Sequence, residues 1–325
     1  MRSVGTGWQE VIGSDEAQRH AQAVRDMVAM QKRKDERFGT GRALHRQPVA
    51  ALRGELRVLD GLPAHARHGL FAEPGRHEVW ARLSNGAMDR QGPRRPDIRG
   101  FAMRVFGVDG EAALGGRTDH QDLSLINQTA FAFPDSRHFF GLVLAAGRGP
   151  AALLAWVFKT FGLVGGLKQM KQLAATAGRP FTGFATETFG STLPLCCGPA
   201  AVKLRLVPAG GHAPRAGAAA DWSADLIAQA ALAPLTYRLQ LQFFVDEQRT
   251  PIEDASVEWP EGLAPFIDVA ELVLQPPSTD AGFIAQVEAG VFDPWQSLAA
   301  HRPLGEVMRA RKVAYFASQQ TRGAA

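Results

Sequence analysis

Arg311 stands four residues before Tyr315, and on a helix that spacing puts the two side chains on one face. A guanidinium beside a phenol favours the phenolate, because the nearby positive charge lowers a pKa that is ordinarily about 10. A phenolate is a hard, strongly donating ligand for ferric iron. Arg322, seven residues beyond the tyrosine, can add a second positive charge. Far upstream, Arg42-Ala43-Leu44-His45 sets a histidine just ahead of a strand-like stretch, where an imidazole can shuttle protons. Arg82-Leu83-Ser84 follows. On a strand, residues 82 and 84 share a face, so a cation and a hydroxyl stand together there. Arg82 can pair with a carboxylate and Ser84 can hydrogen-bond an imidazole. Asn127 comes next, with Phe131, Phe133, Phe139 and Phe140 after it. Each piece alone has an ordinary reading: a surface Arg–Tyr pair, a satisfied histidine, a solvated strand face, core phenylalanines.

The bulk of the chain narrows the field. Of 325 residues, 46% are hydrophobic, enough for one large buried core or two smaller ones. The formal charge is only +4 and the arginines are scattered. No nucleic-acid motif accompanies them, and nucleic acid is not an expected partner. Cys196 and Cys197 are adjacent and are the only cysteines. Neighbouring cysteines rarely bridge, and two thiols do not make a structural zinc site; buried free thiols are expected. The first residues lack the apolar core of a secretory signal. The most apolar stretch, 141–166, is interrupted by Arg148, Gly149, Pro150 and Lys159. No uncharged run within it reaches the ~20 residues that span a bilayer. A core helix or one lying at an interface is expected, in a cytoplasmic protein without stable membrane insertion.

The elements that must position these residues are legible as periodicity. Residues 15–38 carry a helical apolar stripe (Ala21, Val24, Met27, Val28, Met30), with Ser14-Asp15-Glu16 as its cap. Alternation of period two marks strands at 52–58, 79–84, 202–206 and 237–243, and 269–274 is a further short candidate. Helical stretches lie near 138–147, 151–175, 222–231 and 280–290, a loose connection at 208–220, and a last helix at about 304–320. Strands in clusters with helices outside them predict an α+β fold built on an antiparallel sheet or barrel.

Taken together and in this order, the pieces resemble the catalase superfamily. Its distal motif is similar to Arg42-Ala43-Leu44-His45, its Arg-Phe-Ser strand to Arg82-Leu83-Ser84, and its Asp-x-Arg-Gly-Phe-Ala motif to Asp97-Ile98-Arg99-Gly100-Phe101-Ala102. A further family segment looks like Asp122 to Ala132, and the proximal Arg-x-x-x-Tyr with a later arginine looks like Arg311, Tyr315 and Arg322. Stretches 251–259 and 292–305 resemble the short bacterial catalase-like proteins, a minimal catalase core. The resemblance covers roughly residues 38–322.

It implies a single catalase-like domain over 1–325, with a helical segment at 1–37 and a haem-binding core at 38–322 built on an antiparallel eight-stranded β-barrel with surrounding helices. It implies haem b with ferric iron as cofactor and Tyr315 as the axial ligand, kept ionised by Arg311. His45 would be the distal acid–base, hydrogen-bonded by Ser84. Arg42, Arg82 and Arg322 would hold the haem propionates, while Leu44, Phe131 and Phe139 would line the haem. The family's catalytic asparagine aligns with Ile126, and Asn127 is the neighbour that can take its role. The implied activity is peroxidase- or catalase-like reduction of hydrogen peroxide or organic hydroperoxides, with a small-molecule peroxide and an unidentified reductant as partners and a monomer or homodimer as the assembly. The alternatives are rearrangement of fatty-acid hydroperoxides, and a non-catalytic haem-binding or haem-less relative.

Overall fold

The alternating apolar residues all turn inward. Leu52, Leu56, Val79, Ala81, Leu83, Leu204, Leu206, Leu239, Leu241 and Leu272 sit in one continuous core with no more than 3% of their surface exposed. The computed structural model describes residues 4–90 and 92–324 of the chain, the side chains of 176 and 177 excepted. Its strands are β1 (Pro48–Val58), β2 (Gly75–Asn85), β3 (Arg99–Glu111), β4 (Arg117–Ile126), β5 (Phe189–Gly190), β6 (Leu195–Cys197), β7 (Ala200–Pro208), β8 (Leu235–Phe243) and β9 (Phe266–Leu274).

Every pairing is antiparallel, in the order β5-β4-β3-β2-β1-β9-β8-β7-β6. The short β5 also pairs with β7 through Phe189↔Leu206 and Gly190↔Arg205. That second pairing closes an eight-stranded barrel and leaves β6 as an extra edge strand. Closure removes the open edges that would otherwise template aggregation. The barrel interior is filled with side chains, Phe101, Phe189 and Tyr237 among them, so a ligand has to bind outside it.

Strands β3 and β4 were not marked by alternation. In β3 the apolar Ala102 and Phe106 share the outward parity of Arg104, and in β4 the polar Gln121 shares the inward parity of Leu123 and Leu125, which blurs the period. Elsewhere the expected strands form but run a few residues longer.

The helices are α1 (Glu16–Phe38), α2 (Ser136–Arg148), α3 (Pro150–Gly178), α4 (Trp222–Leu232), α5 (Ala281–Ala289) and α6 (Glu306–Thr321). Asp135, Asp221 and Asp280 cap α2, α4 and α5 through backbone N–H groups. The expected cap of α1 is only positional: Asp15 makes no capping bond, and its carboxylate accepts from Arg19 Nε instead at 3.0 Å. Cys196 and Cys197 are buried and free, and burial pushes their thiols up to about 11 and about 12.

Helices α1, α2 and α6 form a layer outside the barrel. Met27, Phe140, Ala310 and Ala314 pack together between them. One carboxylate ties all three: Glu306 on α6 bonds the His20 ring at 2.7 Å, the Ser136 N–H at 2.8 Å and the Ser136 hydroxyl at 2.5 Å. Burial works against its charge, but the bonds from His20 and Ser136 outweigh it and hold Glu306 down at about 2. The sign follows from linkage. A depressed carboxylate contributes stability above its unfolded value of about 4.5, and that stability is lost as the pH falls toward 2. Arg309, one turn on, pairs with Glu10, Glu16 and Glu253. These contacts fix the helix that carries Tyr315.

Of the two readings of this apolar stretch, a core helix or one lying at an interface, the structure of α3 sets aside the first. The helix is long and apolar enough by length and composition to cross a membrane, but only 11% of its most apolar window is buried, so it is no core helix. Its helix is interrupted at Gly162, whose φ is 68°.

Candidate functional site

The outer face of the barrel at β2, β3 and β4 is set by register. Arg82 lies beside Ala102, and Ala102 beside Ser124; one step along, Ser84 lies beside Gly100, and Gly100 beside Ile126. Side chains two apart on a strand share a face, so these two rows floor one patch, opposite in direction to the core residues Leu83, Phe101 and Leu125. All six line a cavity of about 430 Å³, within the usual range for small-molecule sites. The helix layer supplies its other walls through Met27, Phe139, Phe140, Leu142, Val143, Arg311, Tyr315 and Arg322, and Phe131 lines it from the loop before α2.

His45 enters from the connection between α1 and β1. Its backbone is left-handed (φ 53°), uncommon for a residue other than glycine, and its N–H is held by the Gly86 carbonyl at 2.9 Å. The ring Nδ1 meets the Ser84 hydroxyl at 3.1 Å, as the shared strand face of Arg82 and Ser84 predicted. Burial, then the charges of Arg82, Arg311 and Arg42, press the imidazole pKa down to about 3. The ring is therefore neutral at ordinary pH.

Gly100 makes room for that ring. A methyl group there would collide with His45 Nδ1, and would stand 2.7 Å from its Cε1 and 2.8 Å from Ser84 Oγ. Gly100→Ala is expected to push the imidazole off Ser84 and to cost about 1–3 kcal/mol from overpacking. A urea titration gives the stability, and a structure of the variant shows the ring. An unmoved imidazole would remove the close-approach argument.

Three arginines converge where β2, α5 and the end of α6 meet. Arg82 grips Glu288 with two bonds, at 2.8 and 3.0 Å. Arg42 donates to the carbonyls of Glu288 and Gly290, and Arg322 to those of Ala289 and Gly290. Arg42 is also 3.4 Å from the Glu288 carboxylate. Burial, Arg82 and Arg322 press the Arg42 pKa down to about 9, which reports crowding of like charge. Three guanidinium groups thus face a single carboxylate and the C-terminal carbonyls of α5. The imbalance suits further anionic groups.

On α6, Arg311 Nη2 donates to the Tyr315 hydroxyl at 2.7 Å, and the guanidinium lies 5.0 Å from the ring centroid. The four-residue spacing read from the sequence therefore forms a real pair, and both members line the cavity. Phe131 and Phe139 are in contact, with ring centroids 4.7 Å apart, and Leu44 lines the same space.

Asn127 is the residue that the structure does not bring in. Ile126 lines the cavity and Asn127 does not. The reason is parity: one step along an extended chain reverses the side chain. The Asn127 amide oxygen is also engaged, accepting from the Arg99 N–H at 2.7 Å. The expectation that it serves as a distal amide is corrected accordingly. Sequence reasoning missed Glu288, which had no local signal, and the role of Gly100, which extending the period of two through 99–105 would have placed beside Ser84. Among the described residues no group of three or more His, Cys, Asp or Glu gathers as a metal site.

No protein-family model matches this chain, and no curated protein does. Solved structures do. A fungal catalase superposes with a TM-score of 0.68 at 16% identity over 88% of this chain and 60% of its own. Catalase A from Saccharomyces cerevisiae gives 0.67 at 17% over 88% and 62%. A bacterial catalase gives 0.64 at 16% over 99% and 63%. At such identities the likeness establishes the fold, which is catalase-like: α+β, an eight-stranded antiparallel barrel with surrounding helices. The chain spans less than two thirds of the length of each of those catalases.

Proposed function

We propose that this protein binds haem b in the cavity above β2–β4 and uses it to reduce peroxides, as a minimal catalase-like peroxidase. The observation that carries the reading is the convergence of the His45–Ser84 dyad and the Arg311–Tyr315 pair on one largely apolar cavity. The residues fit the group. Tyr315 would offer its phenol oxygen to the iron, beside the Arg311 guanidinium. Arg42, Arg82 and Arg322 offer more positive charge than Glu288 balances, which suits two propionates. Phe131, Phe139, Leu44 and Val143 supply apolar walls for a flat ring.

Bound ferric haem supplies the metal that a peroxide oxygen binds and the redox equivalents that O–O cleavage requires. The protein supplies the proton traffic. With Nδ1 engaged by Ser84, the His45 Nε2 is the ring nitrogen left for exchange. As a neutral base it would take the proton from one peroxide oxygen and return it to the other, so that water leaves from hydrogen peroxide, or an alcohol from an organic hydroperoxide, rather than the corresponding anion; a separate organic electron donor would supply the two electrons of the reduction. Arg311 holds the Tyr315 oxygen in its ligand role. Ile126 stands where the resemblance expects an amide, which favours organic hydroperoxides with an apolar tail over hydrogen peroxide. The tail would lie along Met27, Met88, Leu142 and Val143.

The test is optical. Ferric haem added to the purified protein should give a Soret band that changes on adding peroxide. The rate of that change should hold between pH 8 and pH 5, because His45 is neutral there. An ordinary imidazole would instead lose activity around a pKa of about 6.5. The same depressed pKa costs stability as the pH falls from about 6.5 toward 3, where only the unfolded chain takes the proton. A protein that gains no Soret band would end the proposal.

A further inference from the structure

Helix α3 is apolar on average, yet most of it lies on the surface. A helix of that kind is ordinarily covered, by a protein core or by lipid. At its break, Leu163 is 77% exposed, Val164 84% and Leu167 65%, and Leu154 adds a further exposed side chain. Single exposed leucines are unremarkable; a cluster of exposed apolar side chains beside a helix break is not.

The charge along this stretch of chain is of one sign. From Ser136 to Thr186 the sequence has no Asp or Glu, while Arg148, Lys159, Lys168, Lys171 and Arg179 punctuate it. Lys159, Lys168 and Lys171 are exposed, and among the described residues none of them forms an ion pair. A second copy of this surface would set cations against cations. An anionic lipid headgroup layer complements it.

The geometry also distinguishes docking from spanning. The helix turns out of register at Gly162. The first segment, 150–161, is then about 18 Å long, well short of the ~30 Å hydrocarbon core. The second carries Lys168 and Lys171. Packing of the first segment on the body is local: Trp156 and Phe161 meet Phe133, and Phe161 stacks on His138. Gly141 on α2 lets Trp156 approach closely. The aromatic contacts lie on the N-terminal side of the break, and Leu163, Val164 and Leu167 beyond it stay exposed.

We propose that α3 docks the protein on the surface of an anionic bilayer, with Leu163, Val164 and Leu167 entering the headgroup–acyl boundary and the lysines around them contacting acidic headgroups. The proposal is independent of haem, since neither cofactor nor peroxide takes part. Docking would set α2, which walls the cavity with Leu142, Val143 and Ala146, between that cavity and the element on the bilayer.

The experiment is flotation of the full chain with vesicles of phosphatidylcholine alone and of phosphatidylcholine with phosphatidylglycerol. The protein should float with the anionic vesicles and lose at least tenfold in partitioning on raising the salt. The double variant Leu163→Glu/Val164→Glu should lose at least tenfold as well, with an unchanged circular dichroism melt because both side chains are exposed. Lys168→Glu/Lys171→Glu should lower binding to anionic vesicles and leave the weak binding to neutral ones. Failure of the wild type to float overturns the proposal. So does flotation that the first double variant leaves intact. A change in that variant's mass in solution without any vesicle binding also overturns it, and assigns the face to self-association.

Discussion

Tyr315→Phe is expected to fold and to gain no stable Soret band when ferric haem is added. The substitution removes one oxygen and keeps the ring, so the α1–α2–α6 layer should be undisturbed. Tyr315 is only half-buried, and its hydroxyl has Arg311 as its hydrogen-bond donor. What is lost is the phenol oxygen that α6 brings to the cavity beside the Arg311 guanidinium. The arginines at β2 and α5 would still attract an anionic porphyrin, so weak, salt-sensitive association is the expected remainder. Haem titration followed by gel filtration separates the two: wild type should carry the absorbance through the column, and the variant should not. A variant that retains a full, peroxide-responsive Soret band would show that another residue ligates the iron.

His45→Ala should do the converse. Haem should still bind, because Tyr315 and the arginines are untouched, but peroxide cleavage should slow by roughly 10²–10⁴-fold, the usual worth of a positioned acid–base group. The left-handed backbone at residue 45 makes alanine somewhat strained. His45→Asn, a residue that tolerates that conformation, is therefore the control for backbone effects. Stopped-flow measurement of the Soret change against peroxide concentration checks both. Full reactivity in either variant would take His45 out of the mechanism. Ser84→Ala should give a smaller loss in the same assay, since Ser84 orients the ring and does not exchange the proton.

How far these residues were legible differs with the kind of signal each carried. The Arg311–Tyr315 pair was fully readable, because a helix makes neighbours of residues four apart whatever surrounds it. The shared face of Arg82 and Ser84 was readable for the corresponding reason in a strand, and the structure gives each the partner type expected of it: a carboxylate for Arg82, an imidazole for Ser84. The identity of that carboxylate was not readable. Glu288 reaches Arg82 from a helix 206 residues away, and nothing local marks it. Asn127 shows the limit of ordering residues by motif. A shift of one position on an extended chain exchanges the cavity for the opposite face, and only the register of β4 against β3, with Gly100 opposite Ile126, decides which residue faces in.

For α3 the sequence left a core helix and an interface-lying one both open, for a different reason. Its composition is that of a buried helix, and composition reports what a segment would shed water for, not what is available to cover it. Within this chain the barrel core is complete without α3, so the helix lies outside. By itself, then, the sequence determined the inward face of most strands, the helix that carries the phenol, and the side chains able to do acid–base and ligand chemistry, because all of these follow from short-range periodicity. Tertiary structure alone decided the closure of the barrel through the two residues of β5, the gathering of Arg42, Arg82 and Arg322 around Glu288, and the exposure of α3. Each of these joins segments far apart in the chain, where contacts depend on how whole elements pack and no local pattern encodes the partner.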